Sequence, residues 1–319
     1  MVKIIAEFCQ NHLGRQDLIH EMIKEAKICG ATHAKIQGLY SHELVKRIQF
    51  ENPKGKLFRP HANELERLHK LDLSPELEKW FVEECLEFGI IPMITVFSHV
   101  GVNRAKSAGF KSIKIASYDC DSIAIIERIL NFASELVIST GATRWKDIQA
   151  TANLINNKKK ANQEIAFLHA RTIYPNNIDE VGLLRMSALK SFGFKIGFSD
   201  HTAPAKSKLI ASKVAILLGA DYIERHFTVL KRSQTKDGPV SISPRELTSL
   251  AKFSALSKPD QLKKINKNDL KKAINCNSFE PMPEEMFNRR YYKGRVASNI
   301  QGQIIQNWEK YYEKNNRRW

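Results

Sequence analysis

Short apolar runs alternate with longer stretches of helical spacing from the first residues onward. Runs of strand character fall at Lys3 to Ala6, Thr32 to Gln37, Ile90 to Thr95, Ser112 to Ile115, Leu136 to Ser139, Ile165 to His169, Lys195 to Phe198 and Tyr222 to His226. Between them the spacing predicts helices. Gln16 to Cys29 sets Leu18, Met22 and Ala26 beside Ile19 and Ile23, with Gly30 as the stop. Ser74-Pro75 caps a helix running to Phe88. Further helices are expected at Val100 to Ala108, Ser122 to Ala133, Arg144 to Asn156, Val181 to Ser191, Pro204 to Leu218 and Pro244 to Leu256, the last behind the capping box Ser243-Pro-Arg-Glu246. The polar stretch from Gly38 to Leu73 is too long for an ordinary connection, and reads as a functional loop with one helical piece near Glu64 to Leu71.

Eight strand–helix units in about 256 residues predict an α/β fold, a closed (β/α)8 barrel over residues 1–256. The rival is an open doubly wound sheet. It would want a glycine-rich phosphate turn after the first strand, and Glu7-Phe8-Cys9-Gln10-Asn11 is not one. The alternation fails over residues 257–319, which read as a C-terminal extension. Within it, residues 260–272 are expected to be helical, 277–307 irregular, and 306–315 a short helix.

Composition adds limits. No apolar run approaches the roughly 20 residues that span a bilayer, and an acid at Glu7 comes too early for a signal peptide. Five cysteines form no CxxC pair, which suits a reducing cytoplasm. The formal charge of +16 is spread along the chain, with clusters at Lys158-Lys159-Lys160, Lys263 to Lys272 and Arg317-Arg318 that lack interleaved aromatics. That pattern predicts a solvated basic surface, compatible with a small anionic substrate, rather than a nucleic-acid interface.

In such a barrel the chemistry sits at the C-terminal ends of the strands. Those ends collect Glu7, Lys35 and Gln37, Thr95, Lys114 and Ser117, Ser139, His169 with Thr172 and Tyr174, Ser199 and His201, and Glu224 and His226. Lys35 and Lys114 among serines form a cradle for phosphate and carboxylate oxygens. His201 and His226 form a divalent metal site. His169 reads as a hydrogen-bonded core group. Glu7, after Ile-Ile-Ala, needs a partner to be tolerated in the barrel centre.

Several segments together carry a resemblance. Ile5-Ala-Glu-Phe-Cys-Gln-Asn-His-Leu-Gly14, Ala34-Lys-Ile-Gln37, Lys114-Ile-Ala-Ser117, Ser139-Thr-Gly141, Leu168-His-Ala-Arg-Thr-Ile-Tyr-Pro175, Gly197-Phe-Ser-Asp-His-Thr202, Ile223-Glu-Arg-His-Phe-Thr228 and Asp237-Gly-Pro follow one another in the order seen in the N-acetylneuraminate (sialic acid) synthase family. The resemblance implies a phosphoenolpyruvate-dependent aldol condensation with an N-acylated mannosamine-type aldehyde, giving a nonulosonic acid and phosphate. It also implies a cytoplasmic homodimer or higher homo-oligomer. By the same resemblance Lys35, Lys114, Ser117, Ser139 and Ser199 hold phosphoenolpyruvate, with Gln37 nearby and Thr172 also on the substrate-binding wall. His201 and His226 ligate a divalent metal, usually manganese, with magnesium or cobalt as alternatives. Glu7, Tyr174 and Asp237 orient the sugar or the attacking water, and Asp119 is a further catalytic residue.

The chain departs from the family in places. Asp119 stands where glutamate is frequent, Thr172 where asparagine or serine is common, and Cys9-Gln10 where a glycine-containing pair is usual. No antifreeze-like C-terminal domain is recognisable. The segment Asn288 to Arg295 is the expected substitute, lying over the barrel mouth with one of Arg289, Arg290 and Arg295 near Tyr174 or Asp237. Two rival functions stay open: the same chemistry on another sugar aldehyde, and a non-catalytic barrel binding an anion.

Overall fold

A computed structural model describes residues 2–276 and 278–310. Eight parallel strands close into a barrel in chain order. They are β1 (Lys3–Glu7), β2 (His33–Gly38), β3 (Ile91–Val96), β4 (Ser112–Ile115), β5 (Glu135–Ser139), β6 (Glu164–Ala170), β7 (Lys195–Asp200) and β8 (Tyr222–His226). Closure pairs β1 with β8 and sets Glu7 opposite His226. Every strand is followed by at least one helix, so the expected (β/α)8 architecture is the one observed.

Side-chain alternation explains both layers. Along β1, Ile4 and Ala6 face outward and join Leu18, Ile19, Met22 and Phe253 of the surrounding helices in the main core. Lys3, Ile5 and Glu7 face inward and mark three tiers. At the bottom, the Lys3 ammonium lies 2.7 Å from Glu135 and 2.8 Å from Glu164, and His33 Nε2 lies 2.8 Å from Glu135. The middle tier is apolar: Ile5, Met93, Val137, Ala166, Leu168 and Tyr222. The top tier is polar and opens at the strand ends.

Local signals worked where they name a specific bond. Ser74 Oγ accepts from Leu77 N at 3.2 Å, Ser243 N donates to Glu246 at 2.8 Å, and Gly30 stops its helix at φ +92°. Two helices differ from expectation. Pro204 to Leu218 is broken, with helices at Pro204–Ser207 and Ile210–Leu217 around left-handed Lys208 and Leu209. Leu209 is still buried, so the apolar period runs through the break and hides it. Val181 to Ser191 shrinks to Leu184–Leu189, with Gly182 left-handed at φ +66° before it.

The extension differs most. Helices Lys258–Lys263 and Lys267–Ile274 match the expected helical stretch. Residues 278–307 are not irregular, however. They contain a helix, Pro283–Tyr292, and a hairpin of β9 (Ser298–Ile300) and β10 (Gln303–Ile305). Pro283 at the first helical position and Glu285, whose carboxylate accepts from Met282 N at 2.9 Å, are ordinary start signals. They were masked by a buried face that is largely polar. Residues 306–310 form a turn, and the rest of the expected 306–315 helix lies outside the described residues. Among the described residues no helix is long and apolar enough to cross a membrane.

Candidate functional site

The top tier is built from four buried ionisable side chains on β1, β2, β4 and β8. Glu7 and Lys35 form a direct ion pair, and Glu7 also accepts from the backbone N–H of Cys9 at 2.6 Å. Lys35 donates to Thr95 Oγ1 at 2.7 Å and lies 3.2 Å from Glu224. Lys114 lies 3.4 Å from the other Glu224 oxygen and donates to Ser139 Oγ at 2.5 Å. Two lysines thus converge on one carboxylate. Burial, together with the neighbouring Lys114, lowers the Lys35 pKa to about 8. Burial also lowers Lys114, against the pull of Glu224. Burial opposes the charge of Glu224, but Lys114 and Lys35 outweigh it and hold its pKa low.

Beside this cluster stand the two histidines. Their rings lie 5.6 Å apart, centroid to centroid, at 73°. His201 Nδ1 lies 2.7 Å from the carbonyl oxygen of Arg171. A carbonyl can only accept, so Nδ1 carries the proton and Nε2 keeps its lone pair, 3.4 Å from Ser199 Oγ. Burial and the neighbouring His226 lower the His201 pKa to about 3, and burial lowers His226 as well. Both rings are neutral at pH 7, as a ligand must be. His226 Nδ1 is buried without a hydrogen-bond partner among the described residues. The half-exposed ring of Tyr174 lies 4.2 Å from His201 and 6.3 Å from His226.

A third group lies at the β1 turn. Cys9, His226 and Asp237 offer ligand atoms within 4.8 Å of one another and could hold a metal ion. Gln37 Nε2 donates to Cys9 Sγ at 3.2 Å, and Gln10 N donates to Asp237 at 3.4 Å. Burial, then the Asp237 charge, pushes the Cys9 thiol well above its usual range.

The mouth therefore gathers Glu7, Lys35, Gln37, Lys114, Ser139, Tyr174, Ser199, His201, His226 and Asp237. Ser117 Oγ lines the same wall, where a Cβ on Gly141 would sit 2.9 Å from it and 2.8 Å from Thr172 Cγ2. Glycine at 141 is what lets the β4 and β6 ends approach. Two other residues are otherwise engaged. The Asp119 carboxylate accepts from Asn307 Nδ2 at 2.7 Å, in the C-terminal extension. Thr172 donates through N at 3.0 Å and through Oγ1 at 3.2 Å to Glu285. Asp200, within the Ser-Asp-His-Thr stretch, faces outward into a buried pair with Arg225 at 2.7 Å. His169 is the expected core group, 2.6 Å from the Val181 carbonyl and stacked on Phe198.

Glu285, on the Pro283–Tyr292 helix, is a part of this region the sequence did not announce. Its buried carboxylate accepts from Arg171 Nη1 at 2.9 Å, from Thr172 and from Ala142 N at 3.2 Å. Arg289 donates to the carbonyls of Tyr118 and Ala142 at 3.1 Å and pairs with Asp121 at 2.7 Å. The helix thus sits on the C-terminal face of the barrel, over the ends of β4, β5 and β6. Arg289 is committed to Asp121, and Arg295 lies over the Tyr292 ring at 5.0 Å, with its charge acting on Cys9 beside Asp237. Among the described residues no direct hydrogen bond or ion pair joins Arg289, Arg290 or Arg295 to Tyr174 or Asp237. Tyr292 in turn stacks on Tyr118, with centroids 4.8 Å apart.

The sequence profile of the NeuB family matches residues 22–258, most of the barrel. The chain belongs to the NeuB family. It is 29% identical over 273 residues to the N,N'-diacetyllegionaminic acid synthase of Campylobacter jejuni, covering 84% of this chain and 80% of that one. It is 28% identical over 278 residues to the pseudaminic acid synthase of Helicobacter pylori, covering 85% and 79%. The spore coat polysaccharide biosynthesis protein SpsE of Bacillus subtilis shares the fold, with a TM-score of 0.74 at 21% identity, covering 96% of this chain and 84% of that one. The chemistry of this family is phosphoenolpyruvate-dependent aldol condensation leading to nonulosonic-acid-like products.

Proposed function

We propose that this chain condenses phosphoenolpyruvate with the open-chain aldehyde of an N-acylated mannosamine-type sugar, releasing phosphate and a sialic-acid-like nonulosonic acid. The observation that carries this reading is the convergence of buried Lys35 and Lys114 on Glu224, with Ser139 at 2.5 Å from Lys114, directly beside two neutral histidines. Two relatives named for different products, legionaminic and pseudaminic acid, keep the acyl pattern of the acceptor open.

In the reaction, C3 of phosphoenolpyruvate bonds to the aldehyde carbon, water adds at C2, and the C2–O bond to phosphate breaks. Lys35 and Lys114 hold the phosphate and carboxylate oxygens as point charges, with Ser117, Ser139 and Ser199 as hydroxyl donors and Gln37 beside them. Glu224 and Glu7 keep both lysines charged in the absence of substrate. Thr172, whose donors go to Glu285, shapes this wall rather than binding the anion. His201 and His226 hold a divalent ion, with Asp237 in reach of His226. When bound, the ion polarises the aldehyde oxygen as a Lewis acid. By the family resemblance the ion is manganese, with magnesium or cobalt as alternatives. Tyr174, Asp237 and Glu7 orient the sugar and the water, while Asp119 acts from behind the β4 end through its bond to Asn307.

The extension that begins at residue 257 covers the β4–β6 side of the mouth through the Pro283–Tyr292 helix, and the protein works in the cytoplasm as a homodimer or larger homo-oligomer. Phosphate release from phosphoenolpyruvate across a panel of acylated hexosamines tests the reading. Release that depends on one acceptor supports it. Tight phosphoenolpyruvate binding with no release on any acceptor would favour the non-catalytic anion-binding barrel.

A further inference from the structure

Cys9 stands at an unusual place. It follows the inward-facing Glu7 by two residues, at the C-terminal end of β1, with φ +45°. Side chains other than glycine, asparagine or aspartate rarely occupy that region. Cysteine here sits against its backbone preference, at the mouth of the barrel. Its sulfur is surrounded by groups that match a ligand better than a packed thiol. Asp237 and His226 offer donor atoms within 4.8 Å of it and of each other. Gln37 donates an N–H to the sulfur at 3.2 Å, as an outer-shell group does to a thiolate. His226, itself buried, has an Nδ1 that no group among the described residues satisfies.

We infer that Cys9 is a metal ligand: its thiolate, with His226 and Asp237, binds a divalent transition ion at the barrel mouth. As the sulfur–metal bond forms, the S–H proton passes to solvent and the ion keeps its charge state. His201, whose ring lies 5.6 Å from that of His226 and whose Nε2 keeps its lone pair, is the neighbouring nitrogen donor. A sulfur ligand changes which ions suit the site. Thiolate with imidazole and carboxylate favours zinc, cobalt or ferrous iron, and disfavours magnesium, which prefers an all-oxygen set. The inference rests on the proposed function for what the ion does, and on the geometry for which atoms hold it.

Cobalt is the probe, because a thiolate on Co2+ gives a near-ultraviolet charge-transfer absorption that nitrogen and oxygen ligands do not. The full-length, metal-stripped protein is titrated with Co2+ alongside Cys9→Ser and Cys9→Gly. Glycine accepts φ +45° without strain, so Cys9→Gly keeps the turn even where serine disturbs it. The wild type is expected to bind one Co2+ with the charge-transfer band. Both variants should lose the band and bind Co2+ more weakly, by at least the roughly 10–100-fold that loss of an outer-shell partner costs. Their preference for Zn2+ over Mg2+ should narrow. Co2+ bound by the wild type without the band, a band that survives in both variants, or no Co2+ binding at all overturns the assignment. A band present while no acceptor supports phosphate release leaves the thiolate site standing and removes the proposed function instead.

Discussion

Replacing Glu285 with alanine should unlock the C-terminal helix from the barrel and destabilise the protein severely. The carboxylate is 1% exposed and Arg171 is 6% exposed, so their pair at 2.9 Å is buried. Removing one partner of a buried pair costs about 3–5 kcal/mol, because the other charge is left without compensation. Alanine also orphans the N–H groups of Ala142 and Thr172, which lie 3.2 and 3.0 Å from the lost oxygen. A loss of about 4 kcal/mol over 319 residues, at about 2.1 cal/mol/K of unfolding entropy per residue, lowers Tm by about 6 °C. Burial opposes the Glu285 charge, but Arg171 and the N–H donors outweigh it, so its pKa falls below the usual 4.5. Its charge therefore stabilises the fold above about pH 4.5, and that contribution is lost as pH falls through the depressed value. Urea unfolding at pH 7 and pH 4, with protease cleavage of residues 283–310 as a local readout, checks both. Glu285→Gln, which keeps an acceptor oxygen but not the charge, should fall between. A loss under about 1 kcal/mol at pH 7 with unchanged cleavage would show that the helix is not held by this carboxylate.

Lys114→Ala should weaken phosphoenolpyruvate binding, measured by calorimetry, while Mn2+ affinity changes little; equal loss of both would mean the two sites are one. Because the Lys35 pKa is lowered to about 8, its charge is lost as pH rises past that value, so the KM for phosphoenolpyruvate should rise from pH 7 to pH 9. A flat KM over that range contradicts the role given to Lys35. Glu43, buried against Ser98 Oγ at 2.6 Å, has its pKa raised to about 7 by burial. The fold prefers it protonated, so stability falls as pH rises from about 4.5 through 7, by up to about 3 kcal/mol. Glu43→Gln should remove that fall, and an unchanged pH profile of urea unfolding would count against it.

Much of the barrel was legible because each strand is short, apolar and closed by a polar cluster. Strand alternation puts Glu7 and Lys35 on the inward face, and the polar clusters that close the strands mark His201 and His226. The break at Lys208 escaped because Leu209 stays buried through it, and apolar period reports burial rather than backbone continuity. The Pro283–Tyr292 helix escaped for the opposite reason. Its contact with the barrel is made by Glu285 and Arg289 rather than by an apolar stripe, so no hydrophobic period marks it. Thr172 enters the candidate set as a strand-end residue and Asp119 through the family resemblance. What the sequence could not show is their bonding to Glu285 and Asn307, partners more than 100 residues away that local pattern cannot reach. Cys9 carried a usable signal, a cysteine where the family usually has a glycine-containing pair, whose meaning depended on finding Asp237 beside it.

The central claim is carbon–carbon bond formation between phosphoenolpyruvate and a sugar aldehyde at this mouth. It is tested most directly by incubating the protein with [3-13C]phosphoenolpyruvate, Mn2+ and each acylated hexosamine, and following the label by NMR and mass spectrometry. The account predicts that the labelled vinyl carbon becomes a methylene of a nine-carbon ulosonic acid, in equal amount to the phosphate released, and that Lys114→Ala suppresses it. Label recovered only as phosphoenolpyruvate or as pyruvate, with every acceptor and with the metal site filled, would contradict it.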